Sequence, residues 1–271
     1  MNFSADILFP VFAFLIGIAF GSFSNVCIYR IPKKISIITP QSQCPFCNTK
    51  IKPLDNIPII SFLILGGKCR YCQSHISWRY PIVETITGLI YLFLYLKFQL
   101  SPLLFIYALL CSSLIIIAFI DLEYKIIPDI ITLPGILIGL IISFIFSYTP
   151  LTHSIKGLLI GGGLFYLIAI LSRGGMGGGD IKLIAMIGSF LGWEKVLLTI
   201  FLGSLSGSII GIILIILRKK GRKDTIPFGP FLSLGTIVSI FFGNYLISLW
   251  FSIILGQLYV GQINDLKRRF A

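Results

Sequence analysis

The sequence predicts an all-α polytopic membrane protein with about eight transmembrane helices and one small polar insert. Three observations lead there. Of 271 residues, 56% are hydrophobic and only 12% are charged, against roughly 25% charged in an ordinary soluble domain; the mean hydropathy is +0.97. The apolar residues form continuous runs and do not alternate, which favours helices over a barrel. The polar residues gather in one segment, Arg30–Arg79. This balance excludes a disordered chain. It also excludes a soluble globular enzyme, because too few polar residues remain to cover such a core. The net charge of +12 does not point to nucleic acid. The basic residues are spread between the apolar runs, where they orient a membrane protein, and form no basic face.

A helical span needs about 20 apolar residues. Runs of that kind lie at 7–29, 82–98, 102–120, 127–148, 154–172, 180–193, 195–217 and 228–256. The first has no Lys or Arg before it, carries Asp6 and lacks a small-residue cleavage site, so it reads as a span and not as a cleavable signal peptide. The sixth begins at Asp180 and is short, so it is expected to be tilted, kinked or only partly spanning. The chain then divides into a first span (1–29), a polar insert (30–81) and a helical bundle (82–271).

Lys and Arg counts set the orientation. One side receives Arg30, Lys33, Lys34, Lys50, Lys52, Lys68, Arg70 and Arg79 of the insert, then Lys125, Arg173, Lys182, Arg218, Lys219, Lys220, Arg222 and Lys223. The other side receives Lys97, Lys156, Lys195 and the tail residues Lys267, Arg268 and Arg269. Sixteen of the 22 cations thus share the insert's side, which is predicted to be cytoplasmic. The basic tail fits this arrangement poorly.

Within the insert, Cys44-Pro-Phe-Cys47 and Cys69-Arg-Tyr-Cys72 are two C-x-x-C pairs with 21 residues between them. Two such turns can close a four-thiolate tetrahedral site, and Cys44, Cys47, Cys69 and Cys72 are predicted to hold a structural zinc ion. Lys50, Lys68 and Arg70 favour the thiolate form. On a reducing cytoplasmic side disulfides explain the pattern less well. A closed four-cysteine site has no open position for catalysis, and its expected task is to hold an insert too small to fold alone. Cys27 and Cys111 lie in apolar runs and read as small buried hydrophobes.

The chain has only ten acidic residues. Asp6, Asp55, Glu194, Asp224 and Asp265 read as solvated or paired surface groups. Asp121, Glu123, Asp129 and Asp180 differ. Asp121 closes an apolar run and Asp180 opens another, after Gly177-Gly178-Gly179. Ionisable residues at such positions are costly and are functional candidates by default. The topology brings both to the same depth. Two carboxylates close together in a poorly solvated site cannot both ionise; they share a proton and can activate water as base and acid together. The glycine stretch before Asp180 lets the backbone approach a substrate closely. It fits no G-x-G-x-x-G pattern and no G-K-[ST] follows, so a phosphate loop is disfavoured. Ile126-Ile127-Pro128 ends the span after Asp121. His75 sits beside the cysteines and His153 on the other side, so Ser–His catalysis lacks its base. The residues alone leave other readings open. Asp121 and Asp180 can be helix caps, or the proton or cation carriers of a transporter. The C-x-x-C pairs can serve a membrane redox protein.

Gly177-Gly178-Gly179-Asp180-Ile181-Lys182 resembles the G-x-G-D-x-K signature of type IV prepilin peptidases, polytopic aspartic proteases of the bacterial inner membrane. Asp121-Leu122-Glu123-Tyr124-Lys125-Ile126-Ile127-Pro128-Asp129 resembles the segment that carries the family's first catalytic Asp. Gly21-Ser22-Phe23-Ser24-Asn25-Val26 and Tyr29-Arg30-Ile31-Pro32 are similar to its opening motif, with Ser24 in place of a larger apolar residue. The two C-x-x-C pairs, Gly66-Gly67-Lys68-Cys69 and Arg79-Tyr80-Pro81-Ile82-Val83-Glu84 are similar to its cytoplasmic domain. The likeness runs from about Gly17 to Gly192. It implies removal of a basic leader from prepilins or pseudopilins at the cytoplasmic face. It also implies methylation of the new N-terminal amine by S-adenosylmethionine. Asp121 and Asp180 are then the catalytic pair, supported by Gly177, Gly179 and Lys182. Gly67, Glu84 and the cysteine insert belong to the methyltransferase half.

Overall fold

The computed structural model describes residues 3–39, 41–146, 148–173, 175–217 and 226–254. The cations Arg218, Lys219, Lys220, Arg222 and Lys223, the acids Asp224 and Asp265, Gly174 and the basic tail lie outside the described residues, as does the side chain of Asp6. Eight α-helices follow in order: α1 (Phe3–Arg30), α2 (Ile60–Ile64), α3 (Arg79–Phe98), α4 (Pro102–Tyr124), α5 (Asp129–Phe146), α6 (Leu151–Leu171), α7 (Gly178–Ile216) and α8 (Gly229–Ile254). All but α2 are long and apolar enough to cross a membrane, so seven such helices stand among the described residues.

The expected eight runs and these seven helices describe one path. The sixth and seventh runs are both in α7, and Gly192, at the end of the sixth, has φ 80 and ψ 176. That conformation suits glycine and breaks helical geometry. Gly192 lies beside Thr149 and His153 at the α5–α6 corner, whereas Gly211, near the end of α7, lies beside Ile226 just before α8. The chain therefore runs to one end of the bundle, turns at Gly192 and returns. The first arm, 178–191, is roughly 21 Å long at 1.5 Å per residue, shorter than a hydrocarbon core of about 30 Å.

Helix α4 lies at the centre. Its residues Leu110, Cys111, Leu114, Ile117 and Ile120 are fully buried, and it packs on α1, α3, α5 and α8. Helices α1 and α3 pair closely, as do α6 and α7. Small residues form these seams, as expected where lipid gives side chains no reason to leave it. Gly17 and Gly21 of α1 face Gly88 and Thr87 of α3, and Gly157 of α6 faces Gly188 of α7. Hydroxyl pairs join other helices: Tyr91 with Ser112 at 3.0 Å, Ser154 with Ser143 at 2.9 Å and Thr199 with Ser239 at 3.1 Å. Leu, Ile and Phe side chains of α1, α5, α6 and the second arm of α7 are exposed, which is the surface a bilayer covers.

The insert links α1 to α3 at one end of the bundle. Lys97 and Lys195 mark the other end, where the Lys97 ammonium donates to the carbonyls of Ile240 (3.3 Å) and Phe241 and Lys195 packs on Gly243. Among the described residues the insert has no strand, only two antiparallel bridges, Gln43 with Lys50 and Lys68 with His75. Each bridge closes one C-x-x-C turn in the same way. Cys44 N–H donates to Thr49 O at 3.0 Å and Asn48 N–H to Cys44 O at 2.9 Å; Cys69 N–H donates to Ser74 O at 2.9 Å and Gln73 N–H to Cys69 O at 3.0 Å. Asn48 and Gln73, each directly after a second cysteine, take the left-handed conformation with φ 54 and 58.

Candidate functional site

Asp121 occupies the last turn of α4. The turn ends at Lys125, which is left-handed (φ 55, ψ 39) and donates its N–H to Asp121 O. The carboxylate is buried, and Gly229 N–H, at the start of α8, donates to its Oδ2 at 2.8 Å. Asp180 lies in the first turn of α7, with its N–H bonded to Gly177 O at 3.1 Å. The 125–128 link presses on this turn: a Cβ on Gly179 would lie 2.8 Å from Ile127 Cβ. Asp121 and Asp180 thus both lie at the insert's end of the bundle, with the turn that carries Asp180 against the link that follows Asp121. Asp180 Oδ1 is buried and has no hydrogen-bond partner among the described residues. Such an oxygen is costly to leave alone and is adapted to a shared proton or a bound water.

The supporting residues fall differently. A Cβ on Gly177 would crowd Asp180 Oδ2 at 3.1 Å, so the glycine leaves that oxygen accessible. Lys182 does not reach the two aspartates; its ammonium donates to Asp129 Oδ2 at 2.7 Å. This ties α7 to α5 beside the site. Glu123, also singled out in the sequence, accepts both Arg79 Nη1 contacts, at 2.7 and 2.8 Å, and ties α4 to α3. Gly229 was not singled out. Its only sequence signal is Pro227-Phe228-Gly229-Pro230, a rigid break just ahead of an apolar run.

The four cysteine sulfurs lie within 4.8 Å of one another. Cys44 Sγ and Cys72 Sγ are 3.8 Å apart, near the edge of about 3.8 Å expected for a tetrahedron with metal–sulfur bonds of about 2.3 Å. No disulfide joins them. The set fits a tetrahedral ion. Burial pushes the Cys44 thiol up, but the backbone amides of Cys47 and Phe46 and the side chains of Ser74 and Cys47 bring it down to about 6. The Ser74 hydroxyl lowers Cys72 as well. Arg70 acts elsewhere: it donates twice to Asp55, at 2.6 and 2.9 Å, and holds that carboxyl below its usual range. Cys27 and Cys111 are buried in the helices, as expected.

Between the insert and the ends of α1, α3 and α4 lies a cavity of about 1380 Å³. Cys44 and Cys69 contribute to its wall, so the candidate metal centre supports it. Glu84 lines it, buried, and accepts Ile59 N–H at 2.8 Å. Ile59 has φ 61, an outlier for a β-branched residue. Gly67 lies outside the cavity. Its φ of 68 turns the chain over the Phe62 ring, and its carbonyl accepts Ile76 N–H at 2.8 Å, which seats the second cysteine turn on α2.

The fold and site define a polytopic helical membrane protein with an aspartate pair at one end and a four-cysteine insert over it. Residues 15–98 match the family described as Bacterial Peptidase A24 N-terminal domain, and residues 108–212 match the Type IV leader peptidase family. The chain belongs to the type IV leader peptidase family. It is 32% identical to the prepilin leader peptidase/N-methyltransferase of Pseudomonas aeruginosa, over 89% of this chain and 93% of that one. It is 35% identical to the protein of that name from Bacillus subtilis, over 90% and 98%, and 35% identical to that of Aeromonas salmonicida, over 89% and 94%. No solved structure matches.

Proposed function

We propose that this chain is a membrane aspartic endopeptidase that removes the leader of type IV prepilins or pseudopilins, and that it N-methylates the residue so exposed with S-adenosylmethionine. What supports the peptidase reading is that Asp121 and Asp180 lie at the same end of the bundle, one anchored by Gly229 and the other with a buried oxygen that has no partner among the described residues. The reading places both at the cytoplasmic face of the bacterial inner membrane, on the side with most of the cations. A prepilin's apolar helix lies among the spans, and its basic leader emerges at that face. The scissile bond then reaches the depth of the two carboxylates. One carboxylate draws a proton from water as it attacks the carbonyl before the cut, and the other carboxyl protonates the leaving amine. Much of the gain in rate comes from position.

In the second half, S-adenosylmethionine supplies an electrophilic methyl group. Cys44, Cys47, Cys69 and Cys72 would hold zinc in a closed four-thiolate site, and the ion would keep the insert folded over the cavity. A transporter using Asp121 and Asp180 gains no support from the relatives and leaves the cysteine insert without a purpose.

The test is to incubate purified full-length protein with a prepilin and read the product by mass. Asp121→Asn and Asp180→Asn are expected to abolish leader removal while thermal unfolding in detergent stays as in the wild type. Cleavage at the wild-type rate by either variant would overturn the assignment.

A further inference from the structure

Four buried side-chain atoms have no hydrogen-bond partner among the described residues: Asn25 Oδ1, Arg79 Nε, Ser101 Oγ and Asp180 Oδ1. Asp180 belongs to the peptidase pair. Asn25 and Arg79 both line the 1380 Å³ cavity. One lacks a donor and the other lacks an acceptor, and each such group in a native structure calls for a partner. They are neighbours, because Asn25 Nδ2 donates to the carbonyl of Tyr80 at 3.1 Å. Asn25 is 1% exposed, and its amide is held by that bond with its carbonyl left over. The Glu84 carboxylate, 5% exposed, stands one helical turn further along α3 in the same lining.

An acceptor pair beside an unsatisfied guanidinium N–H suits both ends of an α-amino acid head. Its ammonium suits Asn25 Oδ1 and the Glu84 carboxylate, and its carboxylate suits Arg79 Nε. The lining also carries Phe46, Tyr71 and Trp78, and aromatic ring faces attract a purine and a sulfonium cation. The cavity exceeds the roughly 300–1,000 Å³ of common ligand pockets, which leaves room for a second reactant. Glu123 and Tyr124 also line it, on the same last turn of α4 as Asp121. The peptidase pair and the cavity therefore sit on two faces of one helix end.

We infer that Asn25, Glu84 and Arg79 form the subsite that binds the methionine head of S-adenosylmethionine, with its adenosine against aromatic side chains of the same lining. This rests on the methyltransferase reading above. It adds residues that reading does not contain, Asn25 and Arg79, and gives Glu84 a contact.

The experiment measures calorimetric binding to the full-length protein in detergent. The two probes are S-adenosylhomocysteine, which cannot react, and 5′-methylthioadenosine, which keeps the nucleoside and lacks the amino acid head. The wild type should bind S-adenosylhomocysteine the tighter. Asn25→Leu and Arg79→Met should each lose about tenfold or more of that affinity, the size of one charge-assisted hydrogen bond, with methylthioadenosine affinity unchanged. Leader cleavage by the same samples reports folding, and Asn25→Leu carries the test by itself if Arg79→Met, which also loses the Glu123 contact, fails to fold. Equal affinity of the wild type for the two probes, or parallel loss of both in the variants, overturns the subsite. A wild type that cleaves but never methylates overturns the methyltransferase reading and the subsite together. A methylating wild type with unaffected variants overturns the subsite alone.

Discussion

Gly229 decides where Asp121 points. Its N–H holds Oδ2 at 2.8 Å, and a Cβ added there would stand 2.8 Å from the same oxygen. Gly229→Ala is therefore expected to push the carboxylate off its donor and lower leader cleavage about 10- to 100-fold, the equivalent of one hydrogen bond to a charged group; prepilin processing followed by mass measures it. Cleavage within twofold of the wild type would mean that this contact does not position the acid. The aspartates were legible in the sequence because a carboxylate in an apolar run is costly enough to need a purpose. Gly229 and Asn25 were not. The first acts through a backbone N–H, which every non-proline residue has, across 108 positions. The second is a common polar residue whose importance depends on what fails to meet it in the fold.

At the scale of helices, close approach decides which glycines matter. A Cβ on Gly188 would lie 2.2 Å from the Gly157 carbonyl oxygen, whereas one on Gly163 meets nothing within 4 Å. Gly188→Val should force α6 from the first arm of α7 and cost about 1–3 kcal/mol, seen as a lower thermal midpoint in detergent. Because Asp180 opens that arm, cleavage should fall with it. Gly163→Ala, on the same α6 helix, should leave the midpoint unchanged or raise it by the equivalent of up to about 1 kcal/mol. The reverse order of effects would refute small-residue packing as the basis of this seam. The spans themselves were plain in the sequence, since length and continuous apolarity are local properties. The sixth run was short enough to expect a tilt or kink. That its far end is a turn at Gly192 required the positive φ to be seen, because nothing in the local pattern separates a broken helix from two.

For the whole molecule, the cavity lies between the cysteine insert and the ends of α1, α3 and α4, so damage to the insert should reach the two reactions unequally. Cys44→Ser, or removal of zinc with a chelator, is expected to reduce methylation of the cleaved product more than cleavage itself, both read from one mass spectrum. Equal loss of both would show that the bundle also depends on the insert.

The sequence alone determined the solvent of this protein, the number and order of its apolar runs, the four cysteines spaced to close one site and the two exceptional aspartates. These follow from composition, period and spacing, which act over a few residues. Tertiary structure decided the rest. It bonded Lys182 to Asp129 beside the aspartate pair, placed Gly229 on Asp121, and left Asn25 and Arg79 facing one cavity with unused hydrogen-bonding atoms. Each depends on which groups from distant parts of the chain come within about 3 Å in a medium without water to replace a missing partner, and no local pattern records that distance.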